Sequence, residues 1–131
     1  MKGILILKIL IIEDNQDFVH LLTAIIHLAI KNTDIIYAKT SEEAIGKITN
    51  HEVDLIISDF YFPGNFPSIL PAIQQEKRLF ILQSSCPECV KIYDKNLQID
   101  AICKNREDFT AKMIEHLKAL NVRFSKIRSV S

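Results

Sequence analysis

Apolar residues run almost unbroken through Ile9-Leu10-Ile11-Ile12 and again through Val53-Asp54-Leu55-Ile56-Ile57-Ser58. Between such runs they fall back to spacings of three and four. The first pattern belongs to strands covered on both faces, the second to helices with one apolar side. After Asp14, residues Phe18, Leu21, Leu22, Ile25, Ile26 and Ala29 recur at the helical spacing and predict a first helix. Ile35-Ile36-Tyr37-Ala38 predicts a second strand. Thr40-Ser41-Glu42-Glu43 matches a capping box, in which the first hydroxyl and the fourth side chain satisfy each other's free amide hydrogens, and it opens a helix through about Thr49. The third strand is expected over Val53 to Ser58. Pro67 to Ile73 suits a short helix, because a proline in the first turn gives up an amide hydrogen that has no helical partner. Leu79 to Gln83 is the fourth predicted strand.

The segment from Pro87 to Lys95 has room for a short, weakly amphipathic helix, and Ile99 to Cys103 supplies a fifth strand. Asn105 is the expected cap of a last helix carrying Phe109, Met113, Leu117 and Leu120 on one side. Alternating strands and helices with near-continuous apolar strands predict an α/β fold, a doubly wound, flavodoxin-like five-stranded parallel sheet in the order 2-1-3-4-5 with helices on both faces. One domain is expected over residues 1–131, with its core over about 8–120 and a basic tail over 121–131.

Composition narrows the function classes. The chain is 48% hydrophobic and 24% charged, an ordinary globular balance. Sixteen basic and sixteen acidic residues cancel, so no global field attracts nucleic acid or anionic lipid, and only Arg123 to Arg128 offers a local basic patch. Met1 to Ile12 is too short to span a bilayer, Lys8 interrupts it, and no small-residue cleavage site follows, so a buried strand with an apolar lead-in and a cytoplasmic protein are expected.

The candidate chemistry lies at strand ends. Glu13 and Asp14 close the first strand and Asp59 follows the third. An open parallel sheet binds ligands at its carboxyl edge, and the order above brings these acids there together. Three carboxylates in one place repel one another unless a hard divalent cation with a preference for oxygen sits among them. Taken singly, each residue has a plainer role: Asp14 or Asn15 could cap the first helix, Lys104 could be a solvated lysine, and Ser84 a turn residue.

Glu13-Asp14, Asp59 with Pro63-Gly64 beyond it, Ser84 after strand four and Lys104 after strand five together resemble the receiver domain of two-component response regulators, from about Lys8 to Leu120. The resemblance implies that Asp59 is a phosphoacceptor that forms an aspartyl phosphate. It implies Mg²⁺ held by Asp14, Asp59, Glu13 and the backbone carbonyl of Tyr61. Ser84, or Ser85 if the strand ends one residue later, would be the switch hydroxyl, and Lys104 the phosphoryl contact. It further implies a single-domain signalling switch, not an enzyme acting on a separate metabolite. The phosphoryl group would come from a histidine kinase or phosphotransfer protein. The signal would pass to a downstream effector protein, with a homodimer possible and no direct nucleic acid or membrane role.

The chain departs from the family where output is concerned. Asn105 follows Lys104 where a proline is usual, and Ala101 stands where many receivers carry a rotating aromatic residue. These departures keep open a pseudo-receiver acting as a constitutive interaction or dimerisation module. Cys86-Pro87-Glu88-Cys89 keeps open a redox module, although its place after strand four is not that of a thioredoxin-like motif. With Cys103 as the only other cysteine and no histidine at finger-like spacing, a zinc site is not expected.

Overall fold

The continuous apolar runs become the middle of a parallel sheet because only central strands bury both faces. In the computed structural model, which describes residues 6–50, 53–76, 79–84, 100–103 and 107–130, the strands are β1 (Leu7–Ile12), β2 (Thr33–Ala38), β3 (Leu55–Asp59), β4 (Leu79–Ser84) and β5 (Asp100–Cys103). They lie side by side as β2-β1-β3-β4-β5, all parallel, the order expected. Four helices accompany them among the described residues: α1 (Gln16–Ala29), α2 (Ser41–Asn50), α3 (Asn65–Gln75) and α4 (Phe109–Val130).

Side chains alternate across a strand, so each strand feeds two cores. Ile9, Ile11, Leu55, Ile57 and Ile81 pack under α1 and α4, where Leu22, Ile25, Ile26, Met113 and Leu117 meet them. Leu10, Ile12, Ile56 and Leu82 face α2 and α3 and pack with Ala44, Ile48, Phe66, Ile69 and Ile73. Most of these side chains are wholly buried, and each such Leu, Ile or Phe contributes about 1.5–3 kcal/mol relative to exposure.

Element boundaries shift for local reasons. Val53 and Asp54 precede β3 because the Asp54 carboxylate accepts the Lys8 amide hydrogen at 2.8 Å while the Asp54 amide donates to the Lys8 carbonyl at 2.8 Å, a local clasp that joins the two segments ahead of the ladder. Asp59, expected just beyond the strand, is its last residue and pairs in register with Gln83. Asn15, not Asp14, caps α1, its side-chain oxygen accepting from the Phe18 amide at 3.2 Å. The buried side of α1 is Val19, Leu22, Ile25 and Ile26, so Leu21 turns outward at 43% exposed and Phe18 and Ala29 sit at the edge of the core. At α2 the Thr40 hydroxyl accepts from the Glu43 amide at 3.2 Å, one half of the capping box.

Two helices differ more. α3 starts at Asn65 rather than Pro67 because the Phe62 carbonyl accepts from the Asn65 amide at 2.7 Å and Gly64 takes φ 102°, a conformation open to glycine. A side chain at position 64 would also collide with the Ser41 hydroxyl, which itself lies 2.5 Å from the Ser68 hydroxyl, so the loop after Asp59 is fitted directly onto the start of α2. α4 runs to Val130, through most of the basic tail expected over 121–131, with Phe124 packing on the core. The Asp108 carbonyl takes the first helical hydrogen bond of α4 from Lys112; the cap predicted at Asn105 lies outside the described residues, as does the helix predicted over Pro87 to Lys95.

Candidate functional site

Because β1 and β3 are neighbours, the residues that leave them meet. Ile12 pairs with Ser58, so one residue further Glu13 stands beside Asp59. A carboxylate oxygen from each of Glu13, Asp14 and Asp59 lies within 4.8 Å of the other two. Glu13 and Asp59 are buried, at 2% and 7% exposed, whereas Asp14 faces solvent. The cluster therefore has a buried floor and an open rim.

The peptide after Asp59 is held from several directions. The Asp59 Oδ1 accepts the Phe60 amide at 2.8 Å, and the neighbouring Ser58 hydroxyl donates to the Asp59 carbonyl at 2.8 Å. The Phe60 carbonyl then accepts from the Phe66 amide at 2.9 Å. An aromatic chain runs the same way: Tyr61 meets Phe60 edge-on with centroids 4.8 Å apart, Phe60 lies 6.4 Å from Phe66, and Phe66 5.6 Å from Phe80 of β4. Tyr61 itself is 52% exposed. On the β2 side, a cavity of about 330 Å³ opens beside Glu13, lined by Gln16, Val19, His20, Tyr37 and Lys39.

Ser84, the predicted switch hydroxyl, is the last residue of β4, wholly buried and paired with Cys103. Glu13, Asp14 and Asp59 are thus brought together, with Ser84 on the strand next to Asp59. Lys104, Ser85, Asn105, Cys86 and Cys89 lie outside the described residues. Among the described residues no helix is long and apolar enough to cross a membrane.

The donor set fits a hard cation. All three side chains offer oxygen, two are fixed by their places on or directly after strands, and their spacing leaves room for one ion between them, the chemistry that suits Mg²⁺.

No protein-family model matches the chain, and no curated protein does. Solved structures do. The response regulatory domain of protein mrkE from Klebsiella pneumoniae superposes with a TM-score of 0.79 over 92% of this chain and 99% of that one, at 18% identity. The receiver domain of the Francisella response regulator 1452 gives a TM-score of 0.73 at 19% identity, covering 89% of this chain and 98% of that one. The phosphorylated cyanobacterial phytochrome response regulator RcpA gives 0.66 at 15% identity, over 86% and 89% respectively. From Leu7 to the last helix, then, this chain has the fold of the response regulator receiver domains.

Proposed function

We infer that this chain is a phosphorylation-dependent signalling switch whose acceptor is Asp59. The observation that carries the reading is the meeting of the Glu13, Asp14 and Asp59 carboxylates within 4.8 Å, with the buried Ser84 at the end of the adjoining strand. A fold that served only to bind partners would have no need to collect mutually repelling acids at one sheet edge.

In this reading an Asp59 carboxylate oxygen attacks the phosphorus of a phosphohistidine on a histidine kinase or phosphotransfer protein. The new P–O bond forms as the P–N bond breaks, and its electron pair returns to the imidazole. Asp14, Asp59, Glu13 and the Tyr61 carbonyl would hold Mg²⁺, which when bound neutralises charge on the transferring group. The Phe60 amide, bonded to Oδ1, helps to orient the carboxylate. Ser84 donates its hydroxyl to a phosphoryl oxygen once the group is attached, and Lys104 supplies an ammonium beside it. The changed surface is then read by a downstream effector protein.

Incubation with Mg²⁺ and acetyl phosphate tests the reading by intact mass. The expected result is a gain of one phosphoryl group that disappears in Asp59→Asn, because an amide oxygen cannot form an acyl phosphate. Full labelling of Asp59→Asn would sink the assignment.

A further inference from the structure

Gln83 is a polar residue in a place that an aliphatic one would fill more cheaply. It is wholly buried in β4, and among the described residues neither its Oε1 nor its Nε2 has a hydrogen-bond partner. A buried carboxamide with nothing to bond forfeits its hydration, so such groups are rare in folded chains and ask for an explanation.

The sheet register supplies one. Asp59 pairs with Gln83, and Glu13 follows Ile12, which pairs with Ser58, so Glu13, Asp59 and Gln83 form one row across β1, β3 and β4. Neighbouring strands stand about 4.8 Å apart, within reach of a glutamine side chain once a further group is added to the carboxylate between them. Ile57 and Ile81, two residues before Asp59 and Gln83, both lie in the core under α1 and α4, so alternation keeps Asp59 and Gln83 on the same face of the sheet.

Resting on the reading of Asp59 as phosphoacceptor, we propose that Gln83 is a phosphoryl-sensing residue, whose side-chain amide donates to an oxygen of the group carried by Asp59 and so gains in the modified protein the partner it lacks in the unmodified one. A donor that is unpaired in one state and paired in the other favours the second state by the whole of that difference. The residue therefore holds the acyl phosphate in place without helping to bind the cation.

The test compares the wild-type protein with Gln83→Leu, and with Gln83→Met as a second variant should leucine's branching disturb the fold. The probe is beryllofluoride with Mg²⁺, its fluorines standing in for phosphoryl oxygens. Removing an unpaired buried amide should raise the melting temperature of the unmodified protein. Both variants should bind Mg²⁺ alone as the wild type does, but bind beryllofluoride about tenfold more weakly, the loss of one hydrogen bond to a charged group. A raised melting temperature with unchanged beryllofluoride affinity would overturn the proposal and leave Gln83 a purely structural residue. Failure of the wild-type protein itself to bind beryllofluoride would instead overturn the phosphoacceptor reading beneath it.

Discussion

Asp14→Asn should make the metal-free protein more stable while nearly abolishing its response to Mg²⁺. With no cation present, Glu13, Asp14 and Asp59 hold carboxylate oxygens within 4.8 Å of one another, and removing one charge relieves that repulsion. Asp14 faces solvent, so the gain is screened to about 1 kcal/mol or less. A cation that binds only the folded chain stabilises it by RT ln(1 + [L]/Kd), so if these acids hold Mg²⁺ the wild-type melting temperature should climb with Mg²⁺ concentration while that of Asp14→Asn stays nearly flat. Asp59→Asn should behave alike in the metal-free state, since asparagine keeps the side-chain oxygen that accepts the Phe60 amide. Thermal melts with and without Mg²⁺ decide the matter. If both substitutions lower the metal-free melting temperature, the acids are structural and not a metal site.

Phe66→Ala is expected to have the largest effect on stability and to reach the site as well. Phe66 is wholly buried, so truncating it removes apolar contact and leaves a cavity, at a cost of about 3–5 kcal/mol. Its ring also joins Phe60 to Phe80, and its amide bonds the Phe60 carbonyl, so it fixes the peptide that carries Tyr61 away from Asp59. With the ring gone and only the backbone bond left, Mg²⁺ affinity should fall although no carboxylate has been touched. Phe66→Leu fills most of the volume and should restore more of the stability than of the Mg²⁺ affinity, because the ring contacts to Phe60 are not replaced. Equal recovery of both in denaturant unfolding and Mg²⁺ titration would show that the aromatic chain does not position the site.

The features that could be read from the sequence were those with a repeating signal. Ile9 to Ile12 and Leu55 to Ile57 announce central strands because both faces are apolar, and their ends announce the acids. The features that could not be read depend on pairing between distant residues. Asp54 drops out of β3 because its carboxylate clasps Lys8, and Leu21 turns outward because the core under α1 is completed by Val19. Asn65 and Gly64 open α3 through a positive-φ turn matched to Ser41, a residue more than twenty positions earlier in the chain. α4 passes beyond Leu120 because Phe124 continues its apolar spacing onto the core, a signal masked by the basic residues around it. Gln83 reads as an ordinary strand-end residue until the register sets it beside Asp59.

The most direct measurement is to locate the acyl phosphate itself. Protein phosphorylated by acetyl phosphate and Mg²⁺ is treated with borohydride, which reduces an aspartyl phosphate to homoserine, and its peptides are then sequenced by mass spectrometry. Homoserine at position 59 alone, absent when the phosphodonor is left out, is the expected result. Reduction at Glu13 or Asp14, or unmodified Asp59 in protein that has gained a phosphoryl group, would contradict the account.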